Sequence, residues 1–127
     1  MANHRESLEE VERLYGEPIE AIVVGQHDND PDKWTNNKPT PADENVILSR
    51  EAGLAKLDQD YDAGYGGADC FPFYAWTKSR VFFVAEYDGA TGINYAPRNP
   101  VALKPGFSGE SPSMDEIEKI VAARKTA

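Results

Sequence analysis

The residues best able to do chemistry are oxygen ligands. The stretch LDQDYDAGYGGAD, residues 57–69, alternates Asp58, Asp60 and Asp62, runs through glycines and closes on Asp69. A calcium loop takes oxygen ligands at positions 1, 3, 5, 7, 9 and 12, with a glycine at 6 for the sharp turn. Counted from Asp58, the carboxylates fall on positions 1, 3, 5 and 12. Ala63 stands where the turn needs glycine, and Asp69 is shorter than the bidentate Glu that usually closes such a loop. The same spacing fits a helix running through Leu54, Leu57 and Tyr61, with the three aspartates turned to water and Gly64 as its stop. That reading accounts for every residue without a metal, so no metal or other cofactor is expected, and Asp58, Asp60, Asp62 and Asp69 stand as the alternative.

A second ligand-type cluster is His27, Asp28, Asp30 and Asp32, where a buried strand is expected to empty into a loop. Histidine plus carboxylates suits a divalent ion, but short side chains bonding their own backbone in Asx turns explain the same residues. Nucleophilic chemistry has less support. Cys70 is the lone cysteine, and Phe71 follows it, which suggests a buried structural thiol rather than an activated one. No nucleophile elbow, P-loop or dinucleotide-binding glycine pattern occurs. The chain is therefore read as not an enzyme.

The remaining chemistry is recognition. Tyr74, Trp76, Tyr87 and Arg98 combine aromatic rings with a guanidinium, the composition of a protein-binding hot spot. Strand alternation puts Phe71, Phe73 and Ala75 on one face and Pro72, Tyr74 and Trp76 on the other. If a helix covers only the first face, Tyr74 and Trp76 become a recognition surface; if both are covered, they are core. Trp34, inside a polar stretch, is either a pin to the core or a further anchor. Arg98 is expected beside the end of the Trp76 strand, because the first and third strands of a meander finish at the same end of the sheet.

The elements that must position these groups can be read from periodicity and punctuation. A helix is expected over roughly residues 5–15, opened by the capping box Ser7–Glu10 and stopped at Gly16. A mostly buried strand comes next, over about 18–26. Residues 27–45 are dense in proline, asparagine and charge, so a long irregular loop is expected there. Ser49 is placed to cap a second helix. Residues 71–77, 80–87 and 92–96 then read as three strands of an antiparallel meander joined at Lys78-Ser79 and Asp88-Gly89. Pro72 puts the first strand at an edge or starts it one residue later. The box Ser113–Glu116, with Ile117, Ile120, Val121 and Arg124 at helical spacing, ends the chain on a third amphipathic helix. The fold class is α+β: a mainly antiparallel sheet with helices packed on one face, as a single domain over 1–127.

The chain has 127 residues and a net charge of −9. Residues 1–69 carry 16 acids and 6 bases, and residues 70–127 carry 6 acids and 7 bases. So acidic a chain repels phosphates, and nucleic acid is not an expected partner. No apolar run has the length of a membrane span, and the charged start MANHRESLEE does not resemble a signal peptide. With its single cysteine, the chain is expected to be cytoplasmic.

The segments LSREAGL, GYGGADC, VFFVAEYDG and PRNP together resemble a family of small uncharacterised proteins of actinobacterial phages, mycobacteriophages in particular, over about residues 46–100. The resemblance implies a protein made in the bacterial host cytoplasm that binds a host or phage protein. It carries no catalytic residue. The expected function is thus a non-enzymatic phage accessory protein. A small-molecule or divalent-metal module and an acidic mimic of DNA stand as alternatives.

Overall fold

The computed structural model describes residues 2–25, 44–61, 70–87 and 90–111. The elements run β1 (Ala2–Asn3), α1 (His4–Tyr15), β2 (Ala21–Val24), α2 (Arg50–Leu57), β3 (Asp60–Tyr61), β4 (Phe73–Trp76), β5 (Arg80–Tyr87) and β6 (Ala90–Pro97). The architecture is α+β, with a four-stranded antiparallel sheet in the order β2-β4-β5-β6 and a two-stranded pair of β1 with β3.

Helix α1 begins at Asn3, not at the Ser7 box. Asn3 has extended backbone, and its Oδ1 accepts from Glu6 N at 3.1 Å, which satisfies one of the orphan amides of the first turn. Gly16 ends the helix in the left-handed conformation at φ 67°, donating its N–H to Glu12 O. His4, Leu8 and Val11, spaced i, i+4 and i+7, form the buried face. Helix α2 is capped by Ser49 as its sequence requires, Oγ accepting from Ala52 N at 3.2 Å.

That second helix stops at Leu57, instead of running on through Tyr61 toward Gly64 as expected. Tyr61 is buried, but as a strand residue: β3 pairs Tyr61 with Ala2 and Asp60 with Asn3. Asp58 and Asp60 do not simply face water, because both accept from Asn3 Nδ2, at 3.1 and 3.0 Å. Competition from this pairing ended the helical stripe. The other helix-reading residues, Asp62 and Gly64, lie outside the described residues, as do the Asp88-Gly89 turn, most of the 27–45 loop and the expected C-terminal helix.

Strand β4 begins at Phe73, just past Pro72, and lies in the interior of the sheet between β2 and β5. The Pro72 carbonyl still accepts from Gly25 N at 2.8 Å, continuing the pairing with β2, and the missing Pro72 N–H falls at the end of that ladder. Strand β2 is shorter than expected, since Ile19 N is taken by the Glu12 carboxylate at 2.7 Å instead of a strand partner.

The register sets the core. Ile22 pairs with Ala75, Ala75 with Phe82 and Phe82 with Tyr95, so one row crosses all four strands, and all four residues are buried. Leu8 and Val11 of α1 and Leu54 and Leu57 of α2 close over this face. Burying each large side chain contributes about 1.5–3 kcal/mol. Gly53 lets α2 approach β2 closely: a Cβ there would stand 2.5 Å from Ile22 Cβ.

Both edges of the sheet are bonded by the chain itself. Ile22 and Leu48 exchange two hydrogen bonds beyond β2, and Tyr95 and Glu110 exchange two beyond β6. Among the described residues, no helix is long and apolar enough to cross a membrane.

Candidate functional site

The same register that builds the core builds a second apolar surface on the opposite face. Val23, Tyr74, Phe83 and Asn94 form one row across the four strands, and Ala21, Trp76, Val81 and Ala96 form the next. Strand alternation forces this: every residue between two core residues points outward. Seven of these eight side chains are apolar, and among the described residues no helix lies over them. Tyr74 is 55% exposed, the others are half-buried, and the Tyr74 and Trp76 ring centroids are 5.9 Å apart in a tilted pair.

Two chain segments rim this face. Near β2, Val23, Gly25, Asn45, Tyr74 and Phe83 line an open cavity of about 300 Å³. Near β6, Asn94 Nδ2 donates to Ser108 O at 2.8 Å. Gly109, at φ +73°, passes so close to Phe83 that a Cβ would stand 2.6 Å from the ring tip. Among the described residues, no polar cluster suited to covalent chemistry opens onto the face. A surface of this kind can take apolar groups from another chain by shape and by area removed from water.

Tyr74 and Trp76 come together as their spacing predicts. Arg98 also arrives where the meander places it, at the shared end of β4 and β6. Its Nη1 donates to Thr77 O at 2.9 Å and pairs with Glu20 Oε1. The guanidinium thus joins the ends of three strands, with one side of it in solvent. Trp34 and the Tyr87 side chain lie outside what the structure describes, and so do His27, Asp28, Asp30, Asp32, Asp62 and Asp69. Among the described residues, no three His, Cys, Asp or Glu side chains are grouped to hold a metal.

Sequence reading missed the aliphatic half of the outer face. Val81, Phe83 and Ala85 carried the signal in their alternation with Phe82 and Val84, but only the pairing of β2 with β4 brings Val23 alongside. A second cluster was missed as well. His4 is 2% exposed, with Nδ1 3.1 Å from Tyr61 Oη and its ring against Phe73. Its Nε2 has no hydrogen-bond partner among the described residues. Burial lowers the imidazole pKa to about 4, so the ring is neutral. Burial, followed by the Cys70 charge, pushes the Tyr61 phenol up to about 12. Cys70 itself is half-buried, more accessible than its aromatic neighbours suggest.

Polar groups at the other end of the sheet serve the fold. Arg50 grips Glu12 through two hydrogen bonds, of 2.8 and 2.7 Å, tying α2 to α1. These bonds hold the Glu12 carboxyl below its ordinary value against the opposing effect of burial, helped by Ile19 N–H. Glu17 accepts from Thr77 Oγ1 and Ser79 Oγ and pairs with Arg80, whose guanidinium lies 3.8 Å from the Tyr15 ring centroid. Burial raises the Glu17 pKa, but the Ser79 and Thr77 bonds and the Arg80 charge outweigh it and leave it lowered.

Comparison with family models, with curated proteins and with solved structures finds no match to this chain.

Proposed function

We propose that this protein works by contact with another protein, through the outer face of its sheet and without catalysis. The observation that carries the reading is the continuous apolar surface of Val23, Tyr74, Trp76, Val81 and Phe83 on a sheet whose described helices both lie on the other side. Aromatic rings beside aliphatic side chains, with Tyr74 exposed and Trp76 half-buried, supply much contact area for little lost side-chain freedom. Arg98 stands at the margin as a polar anchor. A phage-type accessory role in a bacterial cytoplasm, implied by the resemblance of residues 46–100, belongs to the same proposal. The partner is then a host or phage protein, with no role for nucleic acid or membrane.

The test uses two baits in an actinobacterial lysate: the wild-type chain, and a variant with Tyr74→Ser and Trp76→Ser. A protein captured by the first and not the second, which slows amide exchange in β4 and β5 when bound, supports the reading. A captured protein that both baits hold equally, with protection elsewhere, overturns it.

A further inference from the structure

We propose that the outer sheet face takes a second copy of this chain, each copy laying the arm of residues 99–107 on the face of the other. The proposal rests on the reading of that face as a contact surface and names one protein that it accepts. A different protein that binds there must displace the second copy.

The arm leaves the end of β6 at Arg98 and returns to the β6 side of the face at Ser108, where Asn94 Nδ2 donates to Ser108 O. Its apolar side chains are not packed on the molecule: Val101 and Leu103 are exposed, and Phe107 is wholly so. Single exposed apolar residues are ordinary, but a group of them on one loop marks a contact surface. The arm is also partly ordered before it docks. Leu103 N–H donates to Val101 O at 3.0 Å, and Pro100 and Pro105 restrict the backbone on either side, which lowers the entropy lost on docking.

The strand order supplies the geometry. Stacked sheets keep their strands within about 30° of each other, so a two-fold axis can run along the strands between two such faces. Across that axis, the order β2-β4-β5-β6 sets β6 of one protomer over β2 of its partner, and the reverse. The arm at β6 therefore meets the β2 side of the facing sheet. There Val23, Gly25, Tyr74 and Phe83 line the open cavity of about 300 Å³, room enough for a phenyl ring. Phe107 is the ring that the other copy supplies. Charge agrees with this placement: residues 99–109 hold Lys104 and no acid, while Glu44 stands beside Val24 just beyond β2.

Area requires the exchange to be reciprocal. Buried whole, a Phe side chain removes about 150–250 Å² from water, so with Val101 and Leu103 the arm removes roughly 400 Å². Each arm covers a similar area of the face it meets, so two contacts bury on the order of 1,600 Å², the standard size of a specific interface, whereas one contact alone falls short of it.

The experiment follows the mass of the full chain against concentration by light scattering. The wild type is expected to pass from monomer to dimer, with no larger species. Phe107→Asp and Tyr74→Ser, both at exposed positions, should each raise the dimer dissociation constant by about 30-fold or more. Ala55→Asp, exposed on α2 in the opposite layer, should leave it unchanged. Phe107→Asp and Tyr74→Ser chains mixed together should pair more tightly than either alone, because one of the two contacts in the mixed dimer is then free of substitution. A wild-type chain still monomeric at about 1 mM overturns the proposal. So do open-ended oligomers, a dimer that Phe107→Asp leaves intact, or a mixture no tighter than its components. The lysate capture reads a different protein, so a monomeric chain that still captures it through Tyr74 and Trp76 sinks this proposal and leaves the proposed function standing.

Discussion

Tyr74 and Trp76 stand side by side, ring centroids 5.9 Å apart, on the face of the sheet opposite both described helices. Their neighbours across the strands, Val23, Phe83 and Val81, make the pair part of a surface rather than two isolated exposed rings. Because this pair lies outside the core, substitutions can separate what holds the scaffold together from what it offers.

Arg98→Ala removes a half-exposed ion pair with Glu20 and a hydrogen bond to Thr77 O. Solvent screens such a pair, so thermal unfolding should show a loss of about 0–1 kcal/mol. Partner capture should weaken, but less than on replacing Trp76. Undiminished capture would make Arg98 only a clamp on the strand ends.

Gly53→Ala puts a methyl within 3 Å of three Ile22 side-chain carbons. Alanine favours helix elsewhere, so its ordinary effect would be stabilising. Here α2 must move off β2, and denaturant unfolding should report a loss of about 1–3 kcal/mol. The double variant Gly53→Ala, Ile22→Val should recover part of it.

Glu12→Gln breaks the paired hydrogen bonds to Arg50 and weakens the bond to Ile19 N. The expected cost is about 1–3 kcal/mol, typical of hydrogen bonds to charged groups. Because the Glu12 pKa is lowered in the fold, its contribution is present above the ordinary carboxylate pKa and is lost as pH falls through the folded value. The variant should therefore lose part of the acid sensitivity of the wild type, read from urea unfolding across that pH range.

His4 titrates in a different window. Its pKa is 6.5 when unfolded and about 4 in the fold. Between these values the unfolded chain binds the extra proton, so the contribution is full well above pH 6.5 and declines as pH falls through 6.5 toward 4. From pH 6.5 to 5 the loss should be about 1.5 kcal/mol. His4→Phe should flatten that decline, measured by urea unfolding at pH 7, 6 and 5. An unchanged slope would mean that His4 does not stay neutral in the fold.

Much of this scaffold was legible because local signals agreed with tertiary ones. Gly16, Ser49 and the alternation of Arg80–Tyr87 each state a cap or a strand in the residues themselves, and each is found in place. The failures lie where distant residues compete with local ones. Asn3 caps α1 and also binds Asp58 and Asp60, so it moved the start of one helix and fixed the residues just past the end of another. No helical period near residue 57 can announce a partner at residue 3. The outer face was half legible for a similar reason. Tyr74 and Trp76 show their side by alternation, whereas Val23 joins them only through the β2–β4 register.

The most direct measurement is the affinity of the captured partner, once purified, for the wild-type chain and for the double variant Tyr74→Ser, Trp76→Ser, by titration calorimetry with thermal unfolding in parallel. Hot-spot aromatics cost about 2 kcal/mol or more each when truncated, a factor of roughly 30 apiece. The account predicts a loss of about 100-fold or more in affinity, with an unfolding temperature within a few degrees of wild type, because both side chains lie outside the core. Equal affinity in a folded double variant would contradict it and move the binding surface away from this face of the sheet.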